Sequence, residues 1–268
     1  MEKIKREIQN LYQILRKHYG SQGWWPLLRL SRNNINPTLR GSYSGYHPND
    51  YNIPDQPKEV LEIMLGAILT QNTSWVNAEK ALFNLESNKM ISFESLHKLS
   101  EEKLALLIKS SGYYNQKAKK IHYLMSFLAK NPISTISQLD IIELRSKLLS
   151  VKGIGPETAD SIILYAFKKP IFVIDAYTKR LFGRLDIIQQ SESYDHFQMI
   201  FHASLRNETP VFNEYHALIV QHCAHICTAK PKCDLCFINE KCAKNIKLKP
   251  KKKTRNKKSI KKKVGKQV

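Results

Sequence analysis

One stretch, Ser150 to Asp160, reading SVKGIGPETAD between two apolar helical runs, restricts the chain more than any other. Glycines at 153 and 155 allow a tight turn, so main-chain amides can meet a phosphate where the next helix begins. The pattern predicts a helical hairpin that grips a DNA backbone, with Lys152, Gly153, Gly155 and Thr158 at the contact. About twenty residues later the apolar run IFVID ends in Asp175. That carboxylate either caps the helix starting AYTKRLF or stands beside the gripped strand as a catalytic group.

Helical periodicity dominates, and no alternation of the kind a half-buried strand needs is found. Helices are expected near 2–19, 57–70, 74–86, 93–98, 101–110, 114–130, 137–149, 156–168, 175–183, 193–206 and 210–223, which defines an all-α fold. The Gly-, Pro- and Asn-rich segment from Ser31 to Pro57 interrupts them, and Tyr43, Tyr46 and Tyr51 mark it as a loop that packs. With 268 residues, one or two domains can be built. No apolar run is long enough to span a membrane, and the start is an amphipathic helix rather than a signal peptide, so a soluble, cytoplasmic protein is expected.

The formal charge is +20, of which Lys247–Val268 contributes 12 Lys and Arg and no acid, leaving about +8 elsewhere. That tail has little apolar surface to bury and is expected to be disordered, adding sequence-independent, salt-sensitive DNA affinity or merely solubility. A polyanionic partner fits both parts of the chain.

All five cysteines lie between 223 and 242. Without an export signal, such clustering points to metal rather than disulfides. Cys227, Cys233, Cys236 and Cys242, spaced x5, x2 and x5, can hold zinc or a [4Fe–4S] cluster, and spacing does not choose between them. Cys223 is left over as a helix-face residue.

The motifs LGAILTQNT, GYYNQKAKKI, LLSVKGIGPETAD, VIDAYTKRLFGRL and the cysteine cluster, in this order, resemble the endonuclease III superfamily of helix-hairpin-helix DNA glycosylases from about Pro57 to Cys242. The resemblance implies a six-helix domain (57–168) and a second domain (1–56 with 169–246) that carries a [4Fe–4S] cluster. Double-stranded DNA would bind in the cleft between them, and the protein would act as a nucleoid-associated monomer. The first cysteine spacing, x5, departs from the x6 of endonuclease III itself. A second departure bears on the reaction. Bifunctional members carry a Schiff-base lysine two residues after the second hairpin glycine, and here that position is Glu157. The resemblance therefore implies a monofunctional glycosylase in which Asp175 helps water displace the base.

Trp24, Trp25 and Pro26, then Gln71, Asn72, Thr73 and Trp75, then Tyr113 to Lys119, are most similar to the 3-methyladenine glycosylase branch. A base made cationic by N3-methylation can be held by aromatic faces, so Trp24, Trp25, Pro26 and Trp75 are expected to form the base pocket, unless the tryptophans are core anchors. Gln71, with Asn72, is expected to fill the space left by a flipped nucleotide. Lys117, Lys119 and Lys120 would meet phosphates, or form a solvated helix face. A mismatch glycosylase acting on adenine, thymine or uracil would need an acid or base-edge donors, for which Glu157 or a tyrosine is available. A non-catalytic DNA-binding module would not need a carboxylate at 175, and a redox protein would call for an acidic or apolar docking patch.

Overall fold

In the computed structural model, residues 1–33, 35–38 and 45–243 are described; the expected basic tail and Tyr43 lie outside them. Among the described residues the regular elements are helical, with no strand. The helix α1 (Glu2–Tyr19) places Ile8, Leu11, Tyr12 and Leu15 on one buried stripe. After the loop come α2 (Pro57–Leu69), α3 (Trp75–Ser87), α4 (Phe93–Lys98), α5 (Glu101–Leu107) and α6 (Tyr114–Lys130). Then follow α7 (Ile133–Ile136), α8 (Ile141–Leu149), α9 (Pro156–Ser161), α10 (Ala176–Leu185), α11 (Tyr194–Ser204) and α12 (Thr209–His225). No helix among these is long and apolar enough to cross a membrane.

Every residue of α2 from 61 to 69 is buried, Leu61, Ile63, Met64, Leu65, Ile68 and Leu69 among them. It is the central helix, packed by α3, α6 and the π turn Ile162–Ala166 that continues α9. α1 lies on α11 and α12 from the other end of the chain, where Tyr215 donates its hydroxyl to Ile8 O and Gln9 bonds Ser204 O. The segment from 45 to 56 packs as expected: Tyr46 is buried, and Tyr51 donates to the buried Glu214.

Several boundaries differ from the periodic reading. α8 begins at 141 rather than 137 because Asp140 caps it, accepting from Glu143 N–H, and the residues before it form the short α7. The helix expected over 156–168 is regular only to Ser161 before the π turn takes over. Between that turn and α10, Ile171 to Ile174 run extended and buried with no strand beside them. Buried backbone must find partners, and α11 supplies them. His202 Nε2 accepts from Phe172 N–H, Gln198 donates to Phe172 O, and Tyr194 OH accepts from Ile174 N–H.

Candidate active site

That extended segment delivers Asp175 to the start of α10. Its Oδ1 accepts from the backbone N–H and the hydroxyl of Thr178, both at 2.7 Å. Asp175 is thus a helix cap, and it also lines a cavity of about 140 Å³. Water needs only roughly 10–15 Å³ on this measure, so the cavity has room for a much larger guest.

Trp24, Trp25 and Trp75 line the same cavity, together with Gln71, Glu157 and His216. The three indoles pack against one another with ring centroids 5.4 to 5.7 Å apart, and each keeps only 5 to 7 % of its surface exposed. Core anchor and pocket wall are therefore the same surface here. Pro26, expected in the same set, is not among the residues lining this cavity; it borders a separate small void with Leu27, Glu62 and Trp75.

At the cavity mouth Gln71 donates to Gly153 O at 3.2 Å and to Thr158 Oγ1 at 2.9 Å, while Lys120 donates to Gln71 Oε1. Asn72 sits exposed beside it in a left-handed turn. The hairpin is anchored by buried Val151 and Ile154. Of its glycines only Gly153 needs to be one: φ is +92°, and a Cβ there would lie 2.5 Å from Lys120 Cγ. Gly155 has an ordinary φ of −96° as the N-cap of α9, with open space around it. Lys152 is exposed beside the Tyr123 ring, whereas Thr158 is buried and engaged by Gln71.

Lys117 overturns the expected phosphate contact. It is 2 % exposed, and its ammonium donates to Leu69 O at 2.8 Å and Ser111 O at 2.7 Å, tying the end of α2 to the turn before α6. Burial, then Lys120, pushes it down to about 8.

Two carboxyls share the cavity. Burial raises Asp175, but His216 beside it and the hydrogen bonds from Thr178 outweigh that and hold it below the ordinary aspartate range. Glu157 is exposed at the mouth, yet surrounding protein pushes it up to about 7, with Asp175 reinforcing the shift and His216 opposing it. Solvent at the mouth screens part of this effect. The sequence reading missed His216, although an ionisable side chain inside the apolar stretch YHALIV was the available signal.

Beyond α12 the four cysteines follow one another round a loop. Arg184 donates to Cys227 Sγ at 3.2 Å and to the carbonyls of Cys227, Thr228 and Ala229, while Arg180 holds the carbonyls of Cys223 and Cys227. Burial pushes the Cys236 thiol up, a backbone N–H of Ile238 opposes it, and the charges of Cys227, Cys242 and Cys233 add to the rise. Among the described residues no three His, Cys, Asp or Glu side chains crowd closely enough for a single metal ion. Four cysteine thiols on one loop with two guanidinium groups beside it are a donor chemistry compatible with a [4Fe–4S] cluster. Cys223 is fully buried, its Sγ facing Tyr177 O.

Residues 65–206 match the HhH-GPD superfamily base excision DNA repair protein family. A protein of Methanocaldococcus jannaschii, named provisionally as a DNA repair glycosylase, is 38 % identical over 88 % of this chain and 95 % of its own length. The endonuclease III of Sulfolobus acidocaldarius is 28 % identical over 69 % of this chain and 82 % of its own. Among solved structures, the H. pylori 3-methyladenine DNA glycosylase bound to 1,N6-ethenoadenine is 30 % identical with a TM-score of 0.54, covering 65 % of this chain and 91 % of that one. A non-covalent endonuclease III–DNA complex shares the fold at a TM-score of 0.67 and 18 % identity, over 91 % of this chain and 97 % of that one. The chain belongs to the HhH-GPD superfamily and is a base excision repair DNA glycosylase of it.

Proposed function

We propose that this glycosylase flips an alkylated purine such as 3-methyladenine out of duplex DNA and hydrolyses its N-glycosidic bond without cleaving the strand. The observation that carries the reading is a carboxylate held ionised in one cavity with three indoles. A methylated purine is a cation and a good leaving group, so it needs aromatic faces and a negative charge at the sugar more than it needs an acid. As the bond breaks, the sugar becomes oxocarbenium-like, and the carboxylate of Asp175 stabilises that charge while water enters. Trp24, Trp25 and Trp75 hold the base. Gln71 and Asn72 fill the gap in the duplex, and Lys152 with the backbone at Gly153 and Gly155 grips the phosphates of the strand in the cleft between the two domains.

Position 157 holds a carboxyl, which cannot form an imine, so no lyase step through a Schiff base is available there. Cys227, Cys233, Cys236 and Cys242 would carry a [4Fe–4S] cluster, which supplies rigidity to the loop. A second reading, release of a neutral purine, is favoured by one observation: Glu157 is pushed up to about 7, so a protonated fraction is present near neutral pH and could donate to the leaving base.

The test is single-turnover base release from duplexes carrying 3-methyladenine, 7-methylguanine, uracil, or adenine opposite 8-oxoguanine. Asp175→Asn keeps the cap and should slow release of the alkylated bases at least about a hundredfold with near-normal DNA binding. Borohydride should trap no covalent adduct. Equal turnover by the variant, or efficient trapping, would end this assignment.

A further inference from the structure

α12 brings one histidine to the cavity wall. His216 is 6 % exposed; its Nδ1 lies 2.6 Å from the Tyr165 hydroxyl, and its Nε2 faces Asp175 Oδ2 at 3.7 Å. Nε2 has no hydrogen-bond partner among the described residues. At that separation the contact with Oδ2 is electrostatic, short of a hydrogen bond.

Tyr165 decides which ring nitrogen carries the proton. Burial pushes its phenol well above the ordinary value, so the hydroxyl keeps its hydrogen. The other acceptor within reach, Asn213 O, is 3.5 Å away, at the limit for a hydrogen bond. The hydrogen therefore goes to Nδ1, and in the neutral ring Nε2 is left as the N–H that points toward Oδ2. Oδ1 is meanwhile occupied by Thr178. The two carboxylate oxygens are thus addressed by separate elements, one by the first turn of α10 and the other by α12.

We propose that His216 is a positioning residue for Asp175, with Tyr165 setting its tautomer, so that Oδ2 is held toward the sugar of the flipped nucleotide. The inference rests on the assignment of Asp175 as the reacting carboxylate. A carboxylate moved from water into a buried site needs replacement donors to remain charged. Nε2 of His216, 3.7 Å from Oδ2 and with no partner of its own among the described residues, is placed to supply one. The other ionisable groups that face this pair are Glu157 from α9, Tyr165 from the π turn and Cys223 from α12.

The experiment follows single-turnover release of 3-methyladenine against pH, with duplex affinity and thermal unfolding measured alongside. Wild type, His216→Ala, His216→Gln, Tyr165→Phe and Asp175→Asn are compared. His216→Ala should release base at least tenfold more slowly at neutral pH, and the acid limb of its profile should move up by about one unit. The direction follows from Asp175 losing a donor that favours its charged form. His216→Gln retains an amide N–H and should recover most of the shift, and Tyr165→Phe should fall between. A folded, DNA-binding His216→Ala with an unmoved acid limb would overturn the proposal, even if it were slower, because a packing role would do that. If His216→Ala does not fold, Tyr165→Phe decides by the same criterion, and a His216→Gln limb displaced as far as that of Tyr165→Phe or further would also count against it. Asp175→Asn separates the two ideas: wild-type turnover there removes the catalytic assignment itself, whatever His216 does.

Discussion

Glu157 and Asp175 face one cavity, and their carboxyls are driven in opposite directions, one up to about 7 and the other below the ordinary range. Such divergence separates a proton donor from a charge stabiliser. Release of a neutral purine should therefore require protonated Glu157, present below about pH 7 and lost as pH rises through it. In Glu157→Gln that alkaline fall should vanish and neutral-base release should drop about tenfold or more, whereas release of cationic 3-methyladenine should change little. Single-turnover profiles on hypoxanthine and 3-methyladenine duplexes measure both. Identical profiles for the variant and wild type on the neutral base would deny Glu157 any acid role.

The indole cluster predicts a split between size and chemistry. Trp24→Ala, Trp25→Ala and Trp75→Ala should each lose about 3–5 kcal/mol of stability, because each ring is buried against the other two. Phenylalanine at the same positions fills most of the space but is a weaker cation partner. At least one Trp→Phe variant should remain folded and lose roughly 1–2 kcal/mol of preference for a cationic over a neutral base. Thermal unfolding and competition between the two substrates give the answer. Three Phe variants with unchanged preference would remove the alkylation-specific reading.

At the hairpin the two glycines should behave differently. Gly153→Ala must accept φ +92° and displace the Lys120 stem, and should destabilise the protein by about 1–3 kcal/mol and weaken duplex binding. Gly155→Ala meets nothing within 4 Å and should leave stability within about 0.5 kcal/mol. Denaturant titration and fluorescence anisotropy on an undamaged duplex compare them. Equal losses would mean that the hairpin backbone is misjudged.

Iron content checks the cysteine loop. Purified without oxygen, the protein should hold about four irons, and Ser at Cys233 or Cys236 should abolish them together with the brown colour. Ser at Cys223, buried on the face of α12, should leave iron in place. A colourless wild type with a single zinc would refute the cluster and leave the glycosylase chemistry standing.

The hairpin and Asp175 were legible because their signals are local: a Gly-rich turn between apolar runs, and an acid at the end of one. The tryptophan pocket is assembled from positions 24, 25 and 75, and only the family resemblance could bring those together. His216 was hidden because α12 is buried along most of its length, so periodicity singles out no face. Lys117 was a readable case misread. It falls in register with Ile121, Leu124 and Leu128 on the buried stripe of α6, and a charge in that register has to find carbonyls inside the protein. Gly155 looked like a conformational requirement by composition, but the turn is completed by Gly153 alone.

α10 has Asp175 as its N-cap, and Arg180 and Arg184 on its later turns clasp the cysteine loop. Ten residues of helix make a rod about 15 Å long, stiff enough to carry a displacement from one end to the other. The hairpin, by contrast, is anchored by Val151 and Ile154, which lie outside α10. With the proposed roles, a disturbance of the cysteine loop would reach Asp175 through α10, whereas the hairpin's contact with phosphate, carried by other elements, would be spared.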